Sequence, residues 1–424
     1  MERNKKAELG WVLFDWANSS YSLVISTAIF PIYFLDQTND LIHFGSFSLS
    51  NASVYAYTVS LAYLCISFLS PVLSGIADYG GYRKTFMRVF TTLGSLACMS
   101  LFLFDGNDKT WLGISAFLVA TASHAGSLVF YDSYLSQLVP VERRDQLSAR
   151  GYAFGYIGSV ILMCMNIAMI QKPDWFGLAD GQIAARIAFF SVGLWWLGFS
   201  QFSFAWLPKD LMPEHHKIDL MRGVRELQKA WHHVREDSNT KKYLAAFFFY
   251  SAGVQTVIYL ASAFAKEELK FDSGELILVI LILQLVAIAG ALGFAWLSKK
   301  THNLSTMKIM IMIWALICLL AYFVESQIQF YVLAALVGLV LGGVQAISRS
   351  TYSKIIPKSH PDLACFYSFY NVIYYASIVF GTFMFGFINQ YTGTMRGSVL
   401  ALMVFFIAGW LIINRVSRQA VRQD

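Results

Sequence analysis

A polar stretch from Pro208 to Lys242 divides the chain into two strongly apolar blocks of about equal length. It contains eight Lys or Arg, six Asp or Glu and four of the eight histidines. The flanking blocks run for twenty or more residues at a time with scarcely a charge. The whole chain is 57% hydrophobic and only 14% charged, against roughly 25% charged in soluble domains. The sequence therefore predicts two membrane-embedded halves joined by a soluble connector.

The apolar blocks are long enough for twelve membrane-spanning helices, since each span needs about 20 mostly apolar residues. An even number of spans places both termini and the connector on one side of the membrane. We predict an all-α membrane protein with spans at residues 10–35, 52–77, 85–104, 111–136, 150–170, 183–207, 242–265, 274–297, 304–324, 328–348, 363–388 and 396–416.

The distribution of basic residues predicts the orientation. The two tails, the connector and the loops near residues 83, 143, 300 and 354 hold 26 of the 32 Lys and Arg. Positive charge collects on the cytoplasmic side of membrane proteins, so this face is predicted to be cytoplasmic, in an inner cell membrane. The net charge of +6 is then mostly an orientation signal, and no nucleic-acid partner is expected.

The first span is apolar but has one polar helical face, formed by Asp15, Asn18, Ser19, Ser22 and Ser26. Such a stripe must face protein or a watery cavity. We predict that Asn18 and Ser22 contact substrate and that Asp15 is a candidate for proton coupling. The alternative for Asp15 is an anchor near the headgroups.

The fourth span contains His124, the only histidine predicted deep in the membrane, and Asp132 near its cytoplasmic end. A titratable group persists in a bilayer mainly where water or a partner reaches it. We expect His124 to bind substrate or a proton, or else to pack among small residues. Asp132 is a second candidate for proton coupling.

Uncharged polar residues line the seventh and eleventh spans, and Gln255, Asn371 and Tyr374 are predicted to contact substrate. They could equally be hydrogen-bond contacts between helices. No Lys or Arg is predicted at mid-membrane depth, so an anion would lack a partner there. We therefore expect a small neutral, zwitterionic or cationic substrate.

The turn after the second span, GIADYGGYRK, contains Gly75, Asp78, Arg83 and Lys84. It resembles the signature loop that the major facilitator superfamily places between its second and third helices. Glycines let the turn lie close to neighbouring helices. Asp78 can bind Arg83 or the positive end of a helix from the other half. These four residues are therefore predicted to take part in gating.

An internal repeat supports two pseudo-symmetric six-helix bundles, residues 1–207 and 242–424, joined by the connector 208–241. One constant offset of 217 residues places Ser133, Ser136, Pro140 and Asp145 over Ser350, Ser353, Pro357 and Asp362. Paired repeats around a central cavity are the layout of secondary transporters.

The same offset places Asp132 over Arg349, so opposite charges occupy equivalent ends of the fourth and tenth spans. We predict that the two form an ion pair across the seam between the halves and close the cytoplasmic gate. The alternative is local pairing, Asp132 with Arg150 and Arg349 with Asp362.

Three further segments resemble one branch of the superfamily, the vacuole-effluxer-like group related to the autophagy-linked amino-acid effluxers of fungal vacuoles. They are FDWANSSY, YSAGVQT and GGVQAISRSTYSKIIP. The resemblance implies the major facilitator fold, alternating access and transport of small solutes such as amino acids. The chain departs from many relatives at Ser251 and Ala252, where they carry an acid, and at Tyr375, where they carry a lysine.

Other classes of function fit the sequence less well. A membrane-embedded enzyme would need a cluster of acids or ligands at membrane depth, and a receptor or scaffold would not need several polar stripes. There is no Gly-rich phosphate loop, and we expect no cofactor. The histidine doublets and the five cysteines show no metal-binding spacing.

We expect a monomer surrounded by membrane lipids. An amphipathic helix is expected in the connector, with an apolar stripe of Ile218, Met221, Val224, Leu227, Trp231 and Val234.

Overall fold

A computed structural model describes residues 4–44, 47–210, 220–271, 273–356, 363–392 and 395–421. Among these residues, ten helices are long and apolar enough to cross a membrane. The first and seventh predicted spans are helical as well, from Lys5 to Gln37 and over Ser238–Leu269. The all-α membrane fold is confirmed, and we number the spans one to twelve in chain order.

The first half contains spans one to six. Span one is α-helical over Lys5–Ser20, π-helical over Tyr21–Ile29 and α-helical again over Phe30–Gln37. The others are Asn51–Gly80, Arg83–Ser100, Thr110–Ser133, Arg144–Gln171 and Gly181–Trp206. Short helices extend or join them at Leu101–Leu103, Asn107–Lys109, Leu135–Leu138, Val141–Arg143 and Pro173–Phe176.

The second half follows the connector helix Leu220–Glu236. Its spans are Ser238–Leu269, Ser273–Lys300, Asn303–Tyr322, Gln327–Ile355, Leu363–Thr392 and the pair Met395–Ala401 and Met403–Ile413, with a short turn of helix at Arg418–Ala420. Successive spans alternate in direction, so the ends joined by the connector lie together. We call this side the connector face.

Local signals explain several boundaries. The hydroxyl of Ser50 caps span two by accepting a hydrogen bond from the Ser53 amide at 3.2 Å. The same span is followed by Gly81, whose φ of 69° is left-handed and suits glycine. Span ten begins with a capping box between Ser326 and Gln329.

A two-stranded hairpin lies between spans one and two, and the all-α prediction did not include it. Strand Leu41–Phe44 pairs antiparallel with Phe47–Ser50, with Leu41 opposite Ser50. Each strand has only four residues, too few to give a clear alternation of apolar and polar positions.

The largest apolar cluster lies mostly in the second half and two others lie mostly in the first. Four pairs of spans make the most extensive contacts between the halves. Spans two and four of the first half contact span eleven, while span five contacts spans eight and ten. The repeat relates span two to span eight and span five to span eleven. The contact of span two with span eleven therefore corresponds to the contact of span eight with span five. A small cluster formed by Ile66, Ala125, Tyr375 and Ile378 is buried between the halves.

Spans eight and ten of the second half approach so closely that their contact requires glycine. A Cβ atom on Gly342 would lie 2.0 Å from the Ala287 carbonyl oxygen, and one on Gly338 would lie 2.3 Å from that of Leu283. Small residues at a spacing of four allow this backbone contact in membranes.

The connector helix was predicted to lie on the membrane face, and it packs against spans two and eleven. Ala230 and Val234 are buried. The ring of Trp231 is half exposed and lies 5.4 Å from that of Phe369. Ile218 of the predicted apolar stripe lies outside the described residues.

Candidate functional site

The side chain of Arg349 is buried at the seam between the halves, near the connector-face end of span ten. Its side chain is 2% exposed. One terminal nitrogen, Nη2, lies 3.3 Å from Asp15 Oδ2 of span one. The other, Nη1, lies 3.3 Å from Asp132 Oδ1 of span four. A single guanidinium therefore joins two carboxylates of the opposite half.

Span five supplies further contacts to the same guanidinium. Arg349 Nε donates to the Ser148 hydroxyl at 3.1 Å, and Nη2 donates to the Ser148 carbonyl at 3.1 Å. The Ser148 hydroxyl in turn donates to the Ala346 carbonyl at 2.8 Å. Span five is thus hydrogen-bonded to span ten through both a side chain and the backbone.

Aromatic rings enclose the guanidinium. Its Cζ lies 4.2 Å from the ring centre of Tyr152, 4.6 Å from that of Trp11 and 5.4 Å from that of Tyr131. Cation–π contacts strengthen when water is excluded. The Tyr131 hydroxyl also donates to Asp15 Oδ2 at 2.6 Å. We call Asp15, Asp132, Ser148, Arg349 and these three rings the Arg349 cluster.

The structure places the predicted partners Asp132 and Arg349 together and adds Asp15 to them. Arg150, the alternative partner of Asp132, instead lies 3.9 Å from Glu8. Asp362, the alternative partner of Arg349, lies outside the described residues. The sequence did not predict that Asp15 shares the same guanidinium.

The signature turn forms a second connection between the halves. Asp78 accepts a hydrogen bond from Arg83 Nε at 2.6 Å. It also accepts the backbone amides of Ala364 at 3.1 Å and Cys365 at 2.8 Å, at the start of span eleven. An acid at a helix N-terminus satisfies amides that have no partner within the helix. Asp78 therefore binds both of its predicted alternative partners, Arg83 and the positive end of a helix from the other half.

The rest of this turn is held to the start of the connector. Lys84 Nζ donates to the Leu207 carbonyl at 2.9 Å, and the Lys84 amide donates to Asp210 at 2.8 Å. Gly75 is buried in the last turns of span two. The turn is therefore fixed on the first-half side while Asp78 contacts the second half.

A third connection between the halves is formed around Asp145. It lies at the turn that corresponds, under the repeat, to the signature turn of the first half. Asp145 at the start of span five accepts Lys354 Nζ at 2.8 Å, Asn303 Nδ2 at 2.8 Å and Ser298 Oγ at 2.9 Å. Ser298 and Asn303 flank the turn between spans eight and nine, the repeat equivalent of the signature turn. That turn has no acid of its own, and Asp145 supplies one from the other half.

The predicted substrate residues of spans four, seven and eleven do not all lie together. Gln255 Nε2 donates to the Tyr374 hydroxyl at 2.8 Å, joining spans seven and eleven. Asn371 donates to Asp132 Oδ2 at 3.4 Å and to the Tyr367 carbonyl at 3.0 Å, so it borders the Arg349 cluster. His124 is half buried, with ring centres of Tyr21 at 5.3 Å and Trp196 at 6.0 Å.

The π-helical segment of span one presents hydroxyl groups to open space. Ser22 and Thr27 are exposed, and Thr27 donates to the Ser22 carbonyl at 2.9 Å. Exposed hydroxyl groups on a span are expected to face water rather than lipid. Between Ser22 and the Arg349 cluster, Asn18 Oδ1 is buried and has no hydrogen-bond partner among the described residues. The polar face of span one thus runs from an exposed end to a buried end.

No group of three or more His, Cys, Asp or Glu side chains in the described ranges could hold a metal ion.

Replacing Gly151 by alanine is expected to loosen the Arg349 cluster without changing its charge. A Cβ there would lie 2.3 Å from Asp15 Oδ2 and 3.1 Å from Arg349 Nη2. Such overpacking costs about 1–3 kcal/mol, and thermal unfolding in detergent measures it. Gly198→Ala is the matched control because it has open space around it. Equal melting temperatures for the two variants would contradict the expectation.

Comparisons with known proteins agree over the whole chain. A model of the family described as "Vacuole effluxer Atg22 like" matches residues 3–424. The chain is 29% identical over 420 residues to the Bacillus subtilis (strain 168) protein named uncharacterized MFS-type transporter YxiO, covering 99% of this chain and 96% of that protein. It is 26% identical over 472 residues to autophagy-related protein 22 of Gibberella zeae, covering 88% and 70%.

The fold also matches solved structures. The major facilitator superfamily transporter FucP in its outward conformation superposes with a TM-score of 0.71 at 12% identity, covering 97% of this chain and 98% of that one. At this identity the likeness concerns the fold alone.

Proposed function

Because the chain belongs to the vacuole effluxer Atg22-like family, within the major facilitator superfamily, we propose that it moves a small neutral, zwitterionic or cationic solute by alternating access. The resemblance read from the sequence is confirmed, and the chain is an integral membrane transporter. The family is one of transporters, not enzymes. Solute identity, gating and orientation belong to the proposal.

The observation that carries the proposal is the asymmetry between the two ends of the seam. On the connector face, the Arg349 cluster, Asp78 and Asp145 hold the halves together through buried polar contacts. Away from that face, Ser22 and Thr27 are exposed. A transporter closed at one end and open at the other is one state of an alternating-access cycle.

The charge of the solute follows from the groups near the seam. Arg349 already faces two carboxylates, so it does not offer a free positive charge to an anion. The neighbouring groups are amides and tyrosines, with Gln255 bonded to Tyr374 and the rings of Tyr63 and Tyr375 stacked at 5.0 Å. Tyrosine faces attract ammonium groups. Amino acids and small amines are therefore the first solutes to test.

We assign the connector face to the cytoplasm because the tails, the connector and its neighbouring loops carry most of the Lys and Arg. The substrate roles of Asn18, Ser22, His124, Gln255, Asn371 and Tyr374 remain part of the proposal. Gln255 and Tyr374 are the first of these to test, because they hydrogen-bond to each other and Tyr374 packs against the cluster that is buried between the halves.

Counterflow into liposomes that contain the purified protein tests the proposal. Liposomes preloaded with an unlabelled amino acid or amine should accumulate the labelled solute, while dicarboxylates and sugar phosphates should not exchange. Preference for the anions would contradict the assigned charge. Binding of a solute without any exchange would favour a receptor over a transporter.

Removal of the amide at position 255 is expected to weaken solute exchange. Gln255→Leu keeps the size of the side chain but removes the hydrogen bond that Gln255 donates to Tyr374, and a lost polar contact costs about 1–3 kcal/mol. Counterflow at several solute concentrations measures the apparent affinity. Gln201→Leu, at an exposed position of span six, is the matched control. Unchanged affinity in Gln255→Leu would remove this residue from the proposed site.

A further inference from the structure

The Arg349 cluster contains one more acid than base. Asp15, Asp132 and Arg349 have side chains that are 5%, 7% and 2% exposed. If both acids were ionised, the cluster would hold an uncompensated negative charge. A buried charge without a partner is strongly destabilising, and such groups usually neutralise instead.

Apart from Arg349, no basic side chain in the part of the chain that the structure describes lies within ion-pair distance of Asp15 or Asp132. Within the described residues, the other side chains that contact these acids or Arg349 are aromatic or uncharged: Trp11 of span one, Tyr131 of span four, Ser148 and Tyr152 of span five, and Asn371 of span eleven. The nearby basic residues at the start of span five and just before it have other partners. Arg143 and Arg150 pair with Glu8, and Arg144 donates to the backbone carbonyls of Ser136 and Ser353.

The two acids are not equally well supplied with donors. Asp15 Oδ2 accepts a hydroxyl at 2.6 Å from Tyr131 in addition to its contact with Arg349. Among the described residues, Asp132 has two donors, Arg349 at 3.3 Å and Asn371 at 3.4 Å. These distances exceed the usual 2.7–3.2 Å range. Hydrogen bonds donated to a carboxylate favour its ionised form, so Asp132 is the better place for a proton.

We infer that the Arg349 cluster binds one proton, held chiefly on Asp132, whenever the connector-face seam is closed. The inference rests on the proposed alternating-access function and names the ion that could couple to it. When spans four and ten separate, water reaches both acids. Hydration then stabilises the ionised form of Asp132. Opening of the seam and release of the proton on the connector face are then one event.

The polar face of span one gives the proton an approach from the other side. It runs from the exposed Ser22 past the buried Asn18 to Asp15. Asn18 Oδ1 can accept a hydrogen bond from water on this route. The proton would therefore enter from the face opposite the connector and leave at the connector face.

The test measures seam opening as a function of pH in the purified full-length protein without substrate. The probe is Ala364→Cys in a background in which the five native cysteines are replaced. Ala364 is buried against first-half residues, so a thiol there reacts only when the seam opens. The thiolate fraction of any cysteine also rises with pH, so the rate at position 364 is divided by the rate of a cysteine at position 299, which is exposed. Raising the pH removes the proton and should increase the open-to-closed ratio by up to about tenfold per pH unit, the limit for one proton.

Asp132→Asn should abolish this dependence. It leaves one acid and one guanidinium in the cluster, so the seam should stay as closed as in the parent protein at low pH. Asp36→Asn, at an exposed position, should keep the full dependence. A parent protein with no pH dependence between about pH 5 and about pH 9, or an Asp132→Asn variant that retains it, would overturn the inference.

Infrared spectroscopy of the unlabelled protein provides a second readout that does not depend on gating. The closed protein should show a protonated carboxylic acid band that is missing in Asp132→Asn, and its presence in both would overturn the assignment. Counterflow at fixed pH is measured separately. Exchange without a pH-dependent seam would reject the proton site and leave the transport proposal standing.

Discussion

Arg349→Gln is expected to open the connector-face seam. The change leaves Asp15 and Asp132 close together without a cation, and breaking a buried ion pair costs about 3–5 kcal/mol. Each 1.4 kcal/mol is about a tenfold change in an equilibrium, so the open-to-closed ratio should rise more than about a hundredfold. The alkylation rate of a cysteine at position 364 measures it, and lowering the pH should partly restore closure by protonating both acids.

The matched control for this prediction is Arg396→Gln. Arg396 Nε lies 2.9 Å from Glu268, and both side chains are about one quarter exposed. Exposed pairs of this kind contribute about 0–1 kcal/mol, so alkylation at position 364 should hardly change. Equal changes in the alkylation rate for the two substitutions would show that the buried ion pairs of Arg349 do not hold the seam closed.

The second large effect is expected at Asp145. Asp145→Asn removes the charge that balances Lys354, whose side chain is 3% exposed. An uncompensated buried ammonium should lower the stability of the closed state by about 3–5 kcal/mol. Thermal unfolding in detergent and alkylation at position 364 should both report the change.

A double variant separates charge balance from a general loss of packing. Asp145→Asn combined with Lys354→Met removes both charges and replaces the lysine with an apolar side chain of similar length. Replacing both partners of a buried pair is often close to neutral, so the double variant should recover most of the lost stability. Additive losses would show that the two residues act independently.

Several features of this fold could be predicted because they repeat along the chain. Apolar segments of about 20 residues indicate spans directly, and the 217-residue offset brought Asp132 and Arg349 into equivalent positions. Asp78 could be interpreted from its place in a glycine-containing turn. In each case, the local pattern or the repeat carried the information.

The role of Asp15 could not be obtained in this way. Under the same offset its counterpart is His232, which lies in the connector helix, so the repeat contains no signal for it. Asp15 and Arg349 are 334 residues apart. Their contact depends on the close approach of span one to Gly151 of span five.

Two local features were also missed. The π-helical segment Tyr21–Ile29 shifts the side chains of span one relative to a regular α-helix, whereas the predicted polar face of this span has the α-helical period of 3.6 residues. The turn between spans eight and nine contains no acid, and Asp145 of span five contacts the residues that flank it. In the first half the acid lies in the turn itself, whereas in the second half it comes from the opposite half. An alignment of the two repeats therefore shows no acid at the matching position.

The central claim is that the Arg349 cluster holds the two halves together on the connector face. Spin labels at Glu142, before span five, and Lys299, at the end of span eight, occupy exposed positions on opposite sides of the seam. Distances between them can be measured by pulsed electron paramagnetic resonance in a background without native cysteines. We expect one short distance in the parent protein and a second, longer population in Arg349→Gln. The same single distance in both would contradict the account.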